Sequence, residues 1–192
     1  GKVPVMTLLL AGIAVSSLLS ALVSLCIFFS GNQLHQVVFW LMGGFSGRGW
    51  DYVYMFIPYG VIGSTVIFIY ARELNAMLLG EEPAQHLGVE VEIVKRRLLI
   101  AAALLTGACV SVSGLIGFVG LVIPHIVRII FGPDHRILLP AVTLTGASFL
   151  VIADALARVV IAPVELPVGI ITALIGGPFF IYLLRRQKTA MF

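Results

Sequence analysis

Two opposite charges lie four residues apart in one of the most apolar stretches of the sequence. Asp154 and Arg158 fall near the end of the segment 137–160. Residues at i and i+4 share one face of a helix, so this spacing favours an ion pair. Charged groups in apolar surroundings are costly and often functional, and a guanidinium also presents a planar fork that suits a partner's carboxylate. The spacing leaves a structural pair and a functional site both open.

Other reactive side chains are scattered along the chain. Serine and histidine, as at Ser113 and His125, can serve as the nucleophile and the base of an intramembrane enzyme. That chemistry requires the two side chains to be in contact in the folded protein. The other histidines show no spacing typical of a metal site: His35, His86 and His135. No glycine-rich phosphate loop with its lysine occurs. We therefore predict no catalytic residue, no metal and no cofactor.

The composition indicates which class of protein must position these groups. Apolar residues make up 60% of the 192 residues, and charged residues only 11%. Soluble domains have about 45–50% apolar and about 25% charged residues. A soluble protein of this length has too little interior to bury so much apolar surface. The composition predicts an all-α polytopic membrane protein and excludes a soluble enzyme, a nucleic-acid-binding protein and a disordered chain.

Long stretches free of charge place the membrane spans. A span needs about 20 predominantly apolar residues. The stretch 98–127 is too long for one ordinary span and contains several glycines and Pro124, so it is divided in two. The predicted spans, one of them short, are 3–30, 52–71, 98–115, 117–131, 137–160 and 168–184. They form one transmembrane domain over residues 1–192.

The basic residues give the orientation of these spans. Lysine and arginine are enriched on the cytoplasmic side of membrane proteins. Placing Lys2 and the loop after the second span inside leaves only Arg48 and Arg158, of the 12 basic residues, outside. The short fourth span must then cross the membrane, because otherwise the basic C-terminal end would lie outside.

The inside loop 77–97 is long for a helix connection and is amphipathic. Pro83 suits the first turn of a helix, and Glu81 and Glu82 suit the positive end of its dipole. Gly88 can end that helix. We predict a second short helix at 90–97, which leads into the third span. Two short helices on the cytoplasmic face are typical of a docking surface for a soluble partner, although a simple surface connector has the same pattern.

This loop resembles the coupling loop of ABC-transporter permeases. Residues 80–88 read GEEPAQHLG and are followed by three basic residues at 95–97. The next stretch, GLIGFVGLVIPHIVR at 114–128, resembles the signature of the FecCD family of importer permeases. Further matches follow along the whole chain: LLLAG at 8–12, WLMGG at 40–44, DHRILLP at 134–140, GAS at 146–148, Asp154, Arg158 and ELPVG at 165–169.

The resemblance implies the function of a transport subunit. FecCD permeases carry metal chelates across the bacterial inner membrane, and iron–siderophore or haem is expected first, with cobalamin next. Their partners are a second permease subunit, identical or different, a cytoplasmic ATPase dimer and a periplasmic binding protein, within membrane lipid and without nucleic acid. Family members have about ten spans, and this chain matches the C-terminal part, so a fragment or a truncated gene is expected.

The resemblance also implies roles for particular residues. The coupling residues would be Gly80, Glu81, Glu82, Ala84, Leu87 and Gly88. The binding protein would dock at Arg158 and Glu165. A short helix at 35–42, which ends at two glycines, would lie at the outer mouth of the pathway, lined by Phe39, Met42, Gly43 and Gly44. The alternatives are a secondary transporter or channel, or an intramembrane enzyme, and dependence on a separate ATPase distinguishes the permease from both.

Overall fold

A computed structural model describes residues 5–31 and 34–189 of the chain. The described residues form nine α-helices, and this confirms the all-α prediction. The chain divides into two compact units, Gly1–Leu41 and Met42–Phe192. Lys2, where the orientation argument starts, lies outside the described residues. The single permease domain stays a prediction.

The first unit contains the most apolar of the described helices. Helix α1 (Val5–Phe29) has no charged residue, and its 25 residues extend about 37 Å, enough to cross a hydrocarbon core of about 30 Å. Helix α2 (Leu34–Met42) begins in this unit and ends at Gly43, whose positive φ of 70° cannot continue a helix. The predicted first span and the short helix before the two glycines are both confirmed.

The second unit starts with a long helical hairpin. Helix α3 (Trp50–Ile69) packs along α6 (Val91–Ser113). A side chain at Gly63 would collide with Leu105, so the missing Cβ sets how closely the two helices approach. Small residues have this role in membrane bundles, where packing rather than hydrophobic burial drives association.

Two short helices connect α3 to α6: α4 (Ala71–Met77) and α5 (Glu81–His86). The prediction of one short helix starting near Pro83 is confirmed. The separate helix predicted at 90–97 is wrong, because those residues form the first turns of the continuous α6. The change from charged to apolar residues at Leu98 marks a change of environment and does not break the helix. Helix α4 was not predicted.

Three further helices complete the second unit: α7 (Val119–Phe131), α8 (His135–Val159) and α9 (Val168–Thr189). Ile123 and Val127 of α7 form a buried cluster with Leu138 of α8. Ala153 and Ala157 form a second cluster with Val168 at the start of α9. Each cluster joins two helices, so α8 is the element that both α7 and α9 pack against.

Within residues 5–31 and 34–189, three helices are long and apolar enough to cross a membrane by length and composition: Leu9–Phe29, Trp50–Ile69 and His135–Val159. Shorter apolar helices lie at Val119–Phe131 and Val168–Leu183, and the apolar part of α6 begins at Leu98. Large apolar side chains are exposed along all these helices, as expected of surfaces that face lipid or other transmembrane helices. The break before α7 falls at Phe118, which has a positive φ of 66°.

Three backbone segments meet at a junction of glycines. Gly44 N–H donates to Ser113 O at 2.8 Å, and Gly169 N–H donates to Gly43 O at 3.2 Å. A Cβ on Gly169 would collide with the carbonyl of Met42, and a Cβ on Gly43 with the carbonyl of Leu115. Residues 42–44, the end of α6 and the start of α9 therefore come together only because these positions have no side chain.

We expect Gly169→Ala to destabilise this junction. The new methyl group would force backbone carbonyls apart, and overpacking of this kind costs about 1–3 kcal/mol. The measurement is the thermal unfolding midpoint of the purified protein in detergent, with Gly177→Ala as the control, because a Cβ there meets no atom within 4 Å. Equal midpoints for the two variants would contradict the packing explanation.

Candidate functional site

The predicted coupling residues lie on α5 and its two ends. Glu81, Glu82, Leu87 and Gly88 are exposed, whereas Ala84 is fully buried, with 0% of its surface accessible. Gly80 and Gly88 have positive φ values of 113° and 85°, so glycine allows the sharp turns on both sides of α5. The exposed face is available to a partner, while Ala84 seats the helix on the rest of the unit.

Polar contacts hold this segment against α6. Lys95 Nζ donates to Glu81, and this hydrogen bond raises the pKa of the Lys95 ammonium. The guanidinium of Arg97 donates to Tyr70 Oη at 2.6 Å, and Tyr70 is the joint between α3 and α4. Residues 70–86 are therefore attached to the first turns of α6 at two places.

A different contact attaches the segment to α8. Asn75 Nδ2 donates to Asp134 Oδ1 at 2.6 Å, and Asn75 Oδ1 accepts the backbone N–H of His135 at 2.8 Å. Asp134 is the N-cap of α8 and also accepts Arg136 N–H at 2.9 Å. The Arg136 N–H and the Asn75 amide hold the pKa of Asp134 below its ordinary value. We call the contacts of Asn75 with Asp134 and His135 the Asn75 bridge.

The predicted docking residues meet at the other end of α8. Arg158 Nε donates to Asp154 Oδ2 at 2.8 Å, which confirms the i,i+4 pair, and Arg158 Nη1 lies 3.5 Å from Glu165 Oε1. Ser46 Oγ donates to Glu165 Oε2. Ser46, Asp154, Arg158 and Glu165 form what we call the Arg158 cluster. The Arg158 side chain stays 42% exposed, so its guanidinium is accessible although it is paired.

Two members of these sites were not identified from the sequence. Ser46 lies in a loop rich in glycine, where serine is a common turn residue and gives no signal of its own. Asn75 lies in an unpredicted helix, 59 positions before Asp134 in the sequence. Aspartate just before an apolar segment is a helix N-cap signal, so Asp134 could have been recognised from the pattern, but its partner could not.

The two sites lie at opposite ends of one helix. Helix α8 has 25 residues, and its length of about 37 Å separates the Asn75 bridge from the Arg158 cluster. This distance exceeds the hydrocarbon thickness of about 30 Å. The geometry agrees with the predicted orientation, in which residues 77–97 and Arg158 lie on opposite sides of the membrane.

The residues expected at the pathway mouth have different environments. Phe39 and Met42 are partly exposed on α2, whereas Gly43 is buried in the glycine junction. Gly44 is half-buried at the same junction. Their role in the pathway stays a prediction, and the structure adds a packing role for the two glycines.

The two residues of the alternative enzyme site, Ser113 and His125, each contact other groups. Ser113 Oγ donates to Cys109 O at 2.8 Å, a contact within its own helix. His125 packs edge-on against Phe179, with ring centroids 6.5 Å apart. In the part of the chain that the structure describes, no three His, Cys, Asp or Glu side chains group as metal ligands do.

The predicted orientation can be tested directly by cysteine labelling. After the native Cys26 and Cys109 are replaced by serine, we expect single cysteines at Arg48 and Glu165 to react with a membrane-impermeant maleimide in intact cells. Cysteines at Glu82 and Lys188 should react only after the cells are opened, because the excess of basic residues lies on their side. Labelling of Lys188→Cys in intact cells would mean that α7 does not cross the membrane.

Comparison with known proteins identifies the family. The FecCD transport family matches residues 1–186. An uncharacterised ABC transporter permease, YvrB of Bacillus subtilis, is 52% identical over 183 residues, which cover 95% of this chain and 52% of that protein. The cobalamin import permease BtuC of Halobacterium salinarum is 52% identical over 98% of this chain and 50% of its own length.

Two further comparisons agree. The hemin transport permease HmuU of Yersinia pestis is 45% identical over 94% of this chain and 54% of its own length. A solved structure of a metal-chelate type ABC transporter, in an inward-facing conformation, superposes with a TM-score of 0.86 and 35% identity over 95% of this chain and 59% of that one. The chain spans about half the length of the curated relatives it matches. It belongs to the FecCD transport family of ABC-transporter permeases.

Proposed function

We propose that this chain forms part of the transmembrane permease of an ABC importer that moves a metal chelate across the bacterial inner membrane. The observation that carries the proposal is the placement of two accessible sites at opposite ends of α8, one beside the exposed α5 and one at Arg158. An importer driven from the cytoplasm and loaded from outside needs one contact on each face of the membrane.

A cytoplasmic ATPase dimer docks on the exposed face of α5, through Glu81, Glu82 and Leu87. A periplasmic binding protein docks on the Arg158 cluster, where the partly exposed guanidinium receives a carboxylate of that protein. A second permease subunit, identical or different, completes the pathway, and Phe39 and Met42 line its outer mouth. The exposed apolar faces of the helices meet that subunit and membrane lipid.

The cargo is proposed as a metal chelate of the cobalamin or haem type. Support comes from two relatives, a cobalamin permease at 52% identity and a hemin permease at 45%. An iron–siderophore complex belongs to the same class of bulky chelates. Cyanocobalamin is the first probe, because the cobalamin permease is the more similar of the two.

Uptake by the assembled transporter tests this function. The complete subunit that contains this chain is reconstituted in proteoliposomes with its ATPase and binding protein. Labelled cyanocobalamin, haemin and a ferric siderophore are then offered with and without ATP. We expect ATP-dependent uptake of one of the three, abolished when the ATP-binding lysine of the ATPase is replaced by alanine. Uptake that persists with that inactive ATPase would identify a secondary transporter or channel instead.

A further inference from the structure

We propose that Asn75 is a positioning residue that transmits movement of the coupling helix α5 to α8. The inference rests on the proposed function, because α5 moves only if an ATPase docks there. It goes further by naming the contact through which that movement reaches the helix that carries Arg158.

The Asn75 side chain is well suited to this role. Its Nδ2 donates to the N-cap carboxylate of Asp134 at 2.6 Å. Its Oδ1 accepts the first backbone N–H of α8, that of His135, at 2.8 Å. His135 Nδ1 lies 2.9 Å from the same amide oxygen. The N-terminal N–H groups of a helix have no partner within the helix, so a neighbouring helix that satisfies one of them is held to the helix end.

The Asn75 bridge differs from the neighbouring polar contacts in the helix that it reaches. The contacts of Lys95 with Glu81 and of Arg97 with Tyr70 both attach residues 70–86 to α6. The Asn75 bridge attaches the same residues to α8, and α4 also packs against α8. Hydrogen bonds weaken steeply with misalignment, so a shift of α4 either breaks the bridge or moves the end of α8 with it.

Helix α8 can then carry the displacement along its length. Pro140 removes a backbone hydrogen bond near the start of α8, but from there the helix runs without a further proline to Asp154 and Arg158 on its last turns. The bridge and the Arg158 cluster are thus connected through a single helix without an intervening loop. Docking at one end and ATPase movement at the other both act on α8.

Exchanging the two polar residues provides the test. Asn75→Asp places a second carboxylate against Asp134, which breaks the bridge by repulsion. In the double variant N75D/D134N, the new amide at 134 donates to the carboxylate at 75, which still accepts His135 N–H. Asparagine also remains a good N-cap. Asn75→Ala removes the bridge without repulsion, and Arg72→Gln, at an exposed position on α4, is the matched control.

The first readout is the number of cyanocobalamin molecules imported per ATP hydrolysed by the reconstituted transporter, with haemin as the probe if the unmodified transporter imports that instead. We expect Asn75→Asp and Asn75→Ala to lower this ratio at least about 5-fold, the lower range of coupling between sites. The N75D/D134N variant should recover it, and Arg72→Gln should leave it unchanged. A purely structural role would reduce the amount of complex but not the ratio, and failure of the double variant to recover would overturn the proposal.

The second readout does not depend on transport. Spin labels at Gln85 on α5 and Ile137 on α8, introduced after Cys26 and Cys109 are replaced, report the distance between the two helices with and without ATP. We expect a narrow distribution in the unmodified protein and in N75D/D134N, and a broad one in Asn75→Ala. A narrow distribution in Asn75→Ala would refute the bridge. A transporter that imports none of the probes but shows the expected distances would refute the proposed function alone.

Discussion

Arg158→Glu is expected to weaken docking of the binding protein by about 30-fold or more and to reduce uptake accordingly. The substitution removes a partly exposed guanidinium and places a third carboxylate beside Asp154 and Glu165. Docking would bury the Arg158 guanidinium with its partner carboxylate, and loss of one partner of a buried charged pair costs about 2–5 kcal/mol. Exposed ion pairs within one chain contribute only about 0.2–1 kcal/mol, so folding should suffer much less than docking.

Affinity and stability must be measured on the same protein. The binding protein is titrated onto purified Arg158→Glu in nanodiscs, and the unfolding midpoint of the same sample is recorded. Arg158→Lys keeps the charge but loses the planar fork, and an intermediate affinity is expected. Asp154→Asn releases the guanidinium from its strongest partner and should preserve docking. Unchanged affinity in a well-expressed Arg158→Glu protein would remove Arg158 from the docking surface.

A purely structural pair predicts a different result. In that case Arg158→Glu lowers the amount of folded protein in the membrane, and exchanging the two residues, with Asp154→Arg and Arg158→Asp together, restores it. The network supports a local structural contribution, since Glu165 also accepts a hydrogen bond from Ser46. The comparison of membrane level with affinity separates the two roles.

Gly88→Pro is expected to prevent assembly with the ATPase while leaving membrane insertion intact. Gly88 has a φ of 85°, and its N–H donates to Gln85 O at 2.9 Å. Proline fixes φ near −65° and has no N–H, so the turn after α5 cannot form. The membrane-spanning part of the α3–α6 hairpin lies outside this turn and should fold normally. Co-purification of the ATPase is expected to fall at least about 10-fold, the effect of roughly 1.4 kcal/mol.

Graded and matched variants define the cause of this loss. Gly88→Ala retains the N–H but strains the left-handed backbone by about 1–2 kcal/mol, so a partial loss is expected. Gly107→Ala, in an open helical position on α6, should have no effect. Normal co-purification and uptake with Gly88→Pro would show that the shape of this turn does not matter for coupling.

Ala84→Arg tests whether assembly with the ATPase requires α5 to stay packed against the rest of the second unit. Ala84 is fully buried, so a guanidinium there must displace α5 or remain buried without a partner, and we expect assembly to be lost. Gln85→Arg adds the same side chain at the adjacent exposed position. Loss with Ala84→Arg but not with Gln85→Arg would assign the effect to the seating of α5. Equal effects would assign it to charge on the docking face.

Local patterns accounted for most of the helices. The charge-free stretches placed the long apolar helices to within a few residues, because a span must be apolar throughout its length. The pair of Asp154 and Arg158 followed from helical spacing alone. The prediction was wrong where the composition changes within one continuous helix. The change in composition after residues 95–97 predicts a separate helix at 90–97, but lysine and arginine are good helix formers and α6 runs through them.

The order of the amino acids was enough to establish the class of the protein, its helical segments, the charge asymmetry that orients them and the motifs of its family. These are properties of composition and of near neighbours in the chain. Three sets of contacts became known only from the folded chain: Asn75 with Asp134, Ser46 with Glu165, and Gly43 and Gly169 with the backbone segments that face them. Each of these contacts joins residues tens of positions apart, and such partners are chosen by the packing of whole helices rather than by any periodic signal in the sequence.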